Sequence, residues 1–168
     1  MLLGNNMRNL RPLSARESRQ IIELVDAQYG CKLSLDFYFI IHERDRNVYL
    51  LSRDVAAIDL EALRVNSLGS YFCEINEDNT LVRLSIEGSQ IVGPHASQNI
   101  VLLEDDQFKL WAKGITLAIT HTMQKQLENA TGYVIIKNAR NDYYGVGRAK
   151  NNELLNFTPK NRRIAADA

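Results

Sequence analysis

Residues 132–163 read GYVIIKNARNDYYGVGRAKNNELLNFTPKNRR and hold the clearest structural signal in this chain of 168 residues. Two runs rich in β-branched and aromatic residues, 133–136 and 143–146, flank a linker at 137–142 that contains two asparagines and an aspartate. Val, Ile and Tyr favour strands, whereas Asn and Asp favour turns. The stretch therefore predicts a β-hairpin.

Cationic side chains follow the predicted hairpin. They are the first candidates for contacts with an anionic ligand: Arg148, Lys150, Lys160, Arg162 and Arg163. Lys137 and Arg140 are second candidates, since the tip of a hairpin can point away from a binding groove. A run of charges is by itself usually a solvated surface.

Charge is distributed unevenly along a chain whose formal net charge is zero. Residues 1–95 carry ten basic and thirteen acidic side chains, a net charge of −3. Residues 132–168 carry seven basic and three acidic side chains, a net charge of +4. Aromatic side chains lie among these bases, namely Tyr143, Tyr144 and Phe157. This combination favours a surface for a polyanion in the second part of the chain.

Length and composition are those of a globular protein with one large or two small domains, since a domain usually contains about 100–200 residues. The sequence has no run of about 18 apolar residues that could span a membrane. Its N-terminal segment, residues 1–12, is too short and too polar for a secretory signal. We therefore expect a soluble, intracellular protein. Cys31 and Cys73 are isolated, without a CxxC spacing, and we interpret both as packing residues.

The first 95 residues predict helices alternating with hairpins. Ser14 and Glu17 have the spacing of a capping box and Gly30 is placed as a stop, which predicts a helix at residues 14–29. The other predicted elements are a hairpin of strands 37–42 and 48–51, a short helix at 54–63, and a hairpin of strands 68–75 and 81–86.

Gly93 and Pro94 interrupt this pattern and predict a domain boundary near residue 95, with domains at 1–95 and 96–168. The second domain is predicted to contain strands at 100–103 and 108–111, a helix at 115–127 and the hairpin. Short strands with one helix indicate a small β-barrel. The predicted fold class is α+β, with antiparallel strands in the first domain.

No pattern predicts a catalytic, metal or cofactor site. His42, His95 and His121 lie far apart, without the spacing of metal ligands. Residues 145–147, Gly-Val-Gly, lack the further glycine of a dinucleotide loop, and we expect a strand that another backbone approaches. Residues 104–106, Glu-Asp-Asp, are interpreted as a solvated turn between two strands. The sequence thus predicts no enzyme, no metal and no cofactor.

Four segments carry a resemblance to a known family: RPLS at 11–14, SLGSYF at 67–72, VRL at 82–84 and LWAKG at 110–114. In order and spacing they resemble the Nip-seven family of ribosome biogenesis factors, over nearly the whole chain. The resemblance implies an α/β N-terminal domain and a C-terminal PUA domain, a small RNA-binding barrel. It also implies binding of uridine-rich single-stranded RNA in precursors of large-subunit ribosomal RNA, with other assembly factors bound by the N-terminal domain.

On this basis the five first-candidate cations are expected to contact phosphates, and Tyr144 is expected to stack on a base. Strand alternation places either Tyr143 or Tyr144 inside, and the sequence leaves that choice open. We expect a monomer, cytoplasmic in a prokaryote or nucleolar in a eukaryote. Two alternatives are an adaptor of ribosome assembly without RNA contact and a targeting subunit for an RNA-modifying enzyme.

Overall fold

The first half of the chain forms a five-stranded antiparallel sheet in the computed structural model, which describes residues 9–57 and 69–165. The strands lie side by side in chain order: β1 Leu10–Pro12, β2 Phe37–His42, β3 Asn47–Ser52, β4 Ser70–Ile75 and β5 Val82–Leu84. Strand β2 pairs with β3, and β4 pairs with β5. Both predicted hairpins are therefore confirmed, although Leu68, where the second was predicted to begin, lies outside the described residues.

Helix α1, Ala15–Tyr29, packs its apolar face against this sheet and has the predicted ends. The Ser14 hydroxyl accepts the Glu17 N–H at 3.3 Å, and the Glu17 carboxylate accepts the Ser14 N–H at 2.8 Å. The Arg11 guanidinium donates to the same carboxylate and, with Ser14, lowers the pKa of Glu17 to about 2. Gly30 ends the helix with a φ of 61°, the left-handed conformation typical of this position.

Two predictions in the first half are corrected at their ends. The helix predicted at 54–63 is a short 3-10 helix, Arg53–Ala57, and the rest of that prediction lies outside the described residues. The strand predicted at 81–86 stops early, since helix α2, Ile86–Val92, follows β5 directly. The reason is local: the Ser85 hydroxyl accepts the Gly88 N–H at 2.8 Å and so caps a new helix.

The second half forms a mixed five-stranded sheet in the order β6-β8-β9-β10-β7. Its strands are β6 Ile100–Leu102, β7 Leu117–Ala118, β8 Val134–Lys137, β9 Tyr143–Lys150 and β10 Glu153–Asn156. Strands β6 and β8 are parallel, and the other neighbours are antiparallel. The strand predicted at 100–103 and the hairpin predicted at 133–146 are confirmed. A second hairpin, β9–β10, turns through Asn151 and Asn152, whose positive φ angles suit a two-residue turn.

Residues 108–111, predicted as a strand, lie instead in helix α3, Asp105–Ala112. A capping box between Glu104 and Gln107 starts this helix. An apolar run of four residues fits a strand or a helix, so the contacts at its start decide. The triplet at 104–106, predicted as a solvated turn, is the beginning of α3, where acidic side chains face the positive end of the helix dipole.

The helix predicted at 115–127 is also wrong in its first half. Helix α4 is only His121–Leu127, capped by Thr120, and strand β7 precedes it. Strand β7 exists because Leu117 and Ala118 pair with β10, a distant contact that the local spacing does not reveal. None of the helices in residues 9–57 and 69–165 has the length and hydropathy of a membrane-spanning segment.

Buried apolar side chains form two clusters. The first cluster lies between α1 and the first sheet and contains Val25, Tyr29 and Phe72. It also contains Ile135 and Val146, which come from the second sheet. The second cluster surrounds Trp111 within the second half. The strands of the first sheet come before residue 95 in the chain and those of the second sheet come after it, but both sheets contribute side chains to the first cluster. The domain boundary near residue 95 stays a prediction.

We expect both halves to unfold in one cooperative transition, because Ile135 and Val146 join the second sheet to the first cluster. Trp111 is the only tryptophan and is fully buried, so its fluorescence reports on the second cluster. Cys73 is fully buried in the first cluster, so its reaction with a thiol reagent, measured in a Cys31→Ser background, reports on that cluster. The urea concentration at the midpoint of unfolding should be the same by Trp111 fluorescence and by Cys73 reactivity. Separate midpoints would contradict this expectation and would support two independently folding domains.

Candidate nucleic-acid interface

The turn between β8 and β9 holds Lys137 and Arg140 in local contacts. At its centre Asn138 is fully buried, and its Oδ1 accepts the N–H groups of Arg140 and Asp142. The Arg140 Nε lies 3.3 Å from an Asp142 carboxylate oxygen, and Lys137 Nζ donates to Asn141 Oδ1 at 3.1 Å. Both second-candidate cations are therefore engaged within the turn itself.

A β-bulge interrupts the pairing of β8 with β9. Tyr144 and Gly145 together lie opposite Ile136, because the register shifts by one residue here. Gly145 has a φ of 73°, which glycine adopts without strain. Gly147 faces side chains, since a Cβ at this position would lie 2.7 Å from the Trp111 ring. The prediction that another backbone approaches these glycines is therefore wrong.

The two tyrosines of β9 pack against different clusters. Tyr143 packs against the first cluster, and its ring lies over Gly93. Tyr144 packs on the second cluster with its ring edge-to-face to Phe108, and its hydroxyl donates to the Arg162 carbonyl at 2.5 Å. In a regular strand, neighbouring side chains alternate between the two faces, so one of these two rings would be exposed. Because of the bulge, both rings are half-buried. A stacking role for Tyr144 stays a prediction.

The far end of β9 presents Arg148 and Lys150 on one face, since residues two apart on a strand share a face. Both side chains are exposed. The Arg148 guanidinium lies 5.7 Å from the centroid of the Tyr133 ring. Neither cation forms an ion pair with another described residue. Both charges are therefore available to an anionic ligand.

The segment after β10 holds the remaining three cations in different ways. Lys160 begins a 3-10 helix, Lys160–Arg162, and is exposed without an ion pair to any residue in the described ranges. Arg162 pairs with Glu87 of α2 at 2.5 Å. Arg163 Nε donates to the Thr158 carbonyl at 3.1 Å. Lys160 is thus free to bind a ligand, whereas Arg162 and Arg163 also hold the segment in place.

Two arginines and two aromatic rings form a continuous row across both halves of the protein. This arginine–aromatic row consists of Arg83, Phe157, Tyr133 and Arg148. The Arg83 guanidinium lies 5.5 Å from the Phe157 centroid, and the Phe157 and Tyr133 rings meet edge-to-face at 5.4 Å. Arg148 lies over Tyr133 at the other end of the row, and Arg83 also pairs with Glu74 of β4.

Sequence reasoning missed Arg83 and Tyr133 as candidate site residues. One signal existed for Arg83, because it stands between the buried Val82 and Leu84, and alternation places it on the opposite face of β5. Nothing local indicates that Arg83 meets Phe157, since the two residues lie in different halves of the chain.

The fold brings some of the predicted cations together and keeps others apart. Arg148 belongs to the row, and Arg162 lines a cavity together with Arg83 and Phe157. The turn that holds Lys137 and Arg140 is at the opposite end of β9. Five positions separate Arg148 from Tyr143 at that turn, roughly 16 Å along an extended strand.

Metal-binding clusters are absent among residues 9–57 and 69–165, where no three His, Cys, Asp or Glu side chains are arranged to hold an ion. Burial raises the pKa of the Cys31 thiol to about 12, and burial also raises the pKa of Cys73. Cys73 lies in the first cluster and Cys31 packs against it. The predicted packing roles of both cysteines are confirmed.

Among solved structures, the chain is similar to a conserved PUA domain protein from Thermoplasma acidophilum, with a TM-score of 0.52. The two sequences are 13% identical, and the match covers 84% of this chain and 80% of that chain. No protein-family model matches the chain, and no curated protein matches it. The structural likeness shows the fold: an α+β protein with an antiparallel first sheet and a PUA-like architecture, as the sequence predicted.

Proposed function

We propose that this protein is a non-catalytic factor that binds single-stranded RNA. The observation that carries the proposal is the arginine–aromatic row. Two exposed cations are near it in sequence: Lys150 shares a strand face with Arg148, and Lys160 follows Phe157 by three residues. The PUA-like fold supports the same function, because the sequence resemblance implies RNA binding by a PUA domain.

The chemistry of this surface suits an unpaired strand. Bases that are free of a duplex stack on aromatic rings and on arginine planes, here those of Phe157, Tyr133 and Arg83. The exposed cations bind phosphates and release counterions, which gives affinity without sequence information. In a duplex the bases stack on one another, so their faces are not available to the arginine–aromatic row.

Within this function we assign the protein to ribosome biogenesis, with uridine-rich segments of large-subunit ribosomal RNA precursors as its ligand. The support is the resemblance to the Nip-seven family. One of the segments of this chain that carry the resemblance, residues 82–84, contains Arg83 of the row. Other assembly factors would bind the first half of the chain. We expect a monomer, in the cytoplasm of a prokaryote or the nucleolus of a eukaryote.

We also propose that the protein catalyses no reaction. Its histidines have no catalytic spacing, and burial raises the pKa of both thiols, which disfavours the nucleophilic thiolate form. No cofactor is required for stacking or for phosphate contacts.

An adaptor without RNA contact is the second candidate, alongside a targeting subunit for an RNA-modifying enzyme. Exposed aromatic side chains on β2 favour a protein-binding role for the first half, since Phe37 is 39% and Tyr38 is 42% exposed. Large apolar side chains at the surface are common in protein interfaces.

Filter binding with a uridine homopolymer and a duplex RNA of equal length tests the proposal. We expect tighter binding to the single strand, with an affinity that falls as salt rises. Chelation of metals should leave the affinity unchanged. Absence of binding at low salt would favour the adaptor, and equal affinity for the duplex would contradict recognition by stacking.

A further inference from the structure

A cavity of about 440 Å³ opens between the two halves of the protein, beside the arginine–aromatic row. Its walls come from the start of β4, the junction of β5 with α2, the bulge of β9, and residues 157–159, 161 and 162. This volume is typical of small-molecule sites, which measure ~300–1,000 Å³. Both halves contribute to the walls, so neither half forms the cavity alone.

One part of the wall is planar and held in position. Phe157 is half-buried in the wall, and its ring contacts both Tyr133 and the Arg83 guanidinium. Planar groups fixed in this way provide a surface on which a heterocyclic base stacks. Gly145 leaves the cavity open on the side of β9, because a Cβ there would meet only Ile86, at 3.7 Å.

The charges on the wall are already paired. Arg83 pairs with Glu74, and Arg162 pairs with Glu87 at 2.5 Å. A phosphate inside the cavity would compete with two carboxylates, so the interior suits a neutral base better than an anion. Lys160 and Arg148 lie outside the lining and are exposed, which leaves them available for the phosphates on either side of that base.

Polar groups on the wall are able to contact the edge of a base. Tyr71 lines the cavity, where its hydroxyl donates to Asn47 Oδ1 at 3.2 Å and its oxygen can accept a hydrogen bond from a ligand. The Asn161 amide, which donates and accepts, lies on the same wall.

We propose that this cavity binds one unstacked nucleotide of single-stranded RNA, with its base against Phe157 and Arg83 and its flanking phosphates on Lys160 and Arg148. The inference rests on the proposed function and adds to it a composite site, in which the first half of the chain contacts the RNA directly.

Replacing Phe157 by leucine should lower the affinity for a uridine-rich octamer about tenfold without changing its salt dependence, because stacking releases no counterions. Phe157→Tyr should bind like the parent, because an aromatic plane remains. Phe108→Leu is the matched control, since Phe108 is also half-buried but packs on Tyr144, away from the cavity. Fluorescence anisotropy measures the affinities, and urea unfolding verifies that each variant is folded.

An amide NMR titration of the unmodified protein with uridine monophosphate tests the cavity without any substitution. Signals of Ser70, Ser85 and Gly145, which line the cavity, should shift and saturate, while Asn151 in the β9–β10 turn should not. Shifts confined to that turn, or parental affinity of Phe157→Leu, would overturn the inference.

The two proposals fail in different ways. If the octamer binds while the cavity signals stay fixed, the cavity inference is wrong and the RNA-binding proposal stands. If uridine monophosphate shifts the cavity signals while the octamer does not bind, the cavity is a nucleotide site and the RNA-binding proposal is wrong.

Discussion

Replacing Arg148, Lys150 and Lys160 together by alanine should lower the affinity for uridine-rich single-stranded RNA about 100-fold at ~0.1 M salt. Each phosphate contact contributes roughly 0.7 to the slope of log affinity against log salt for a single strand, so the slope should flatten by about 2. The loss should shrink as salt rises and nearly vanish when extrapolated to ~1 M. Filter binding at four salt concentrations measures both quantities.

The matched control removes three exposed cations from the first half, Arg19, Lys32 and Arg44, which form no ion pair with other described residues. This variant has the same change in net charge but should retain most of the affinity. Exposed Lys and Arg residues change stability by only about 0.5 kcal/mol on replacement, so both variants should stay folded. Equal losses in both variants would show that net charge, rather than the surface beside the row, controls binding.

Arg162 and Arg163 are left out of this variant because each is bound through its guanidinium to another part of the chain, whereas Arg148 lies over the Tyr133 ring without an ion pair to a described residue. Arg162 is paired with Glu87, and Arg163 holds the Thr158 carbonyl. Alanine at either position would change the segment after β10 as well as the charge, so a loss of binding would have two explanations.

Replacing Trp111 by alanine should lower the free energy of unfolding by about 3–5 kcal/mol. Trp111 is fully buried at the centre of the second cluster, and its ring packs against Gly147. Its Nε1 donates to the Tyr144 carbonyl at 2.9 Å, next to the bulge of β9. The substitution therefore leaves both a cavity and a carbonyl group without its donor.

Urea unfolding followed by far-ultraviolet circular dichroism measures this effect, since the variant has no tryptophan fluorescence. The neighbouring Leu110→Ala is the control, because Leu110 lies on the same helix but is 43% exposed and should cost far less. A loss for Trp111→Ala no larger than that for Leu110→Ala would contradict the central place of Trp111 in the second cluster.

Elements whose determining contacts lie within a few residues could be predicted from the sequence. Helix α1 is one, because Ser14 and Glu17 cap its start and Gly30 ends it. The β8–β9 hairpin is another, because Asn138 organises the turn from within. Helix α3 had such a signal in Glu104 and Gln107, which the apolar run at 108–111 obscured.

Features that depend on partners far along the chain were decided by the tertiary structure. Strand β7 exists only because it pairs with β10, and the bulge at Gly145 decides that both tyrosines of β9 are half-buried. The charge of the second half and its list of basic candidates follow from the sequence. Only the fold shows which cations are free and that Arg83 contacts Phe157. Capping and turn contacts form between near neighbours in the sequence, whereas the contact of Arg83 with Phe157 requires two sheets to pack together.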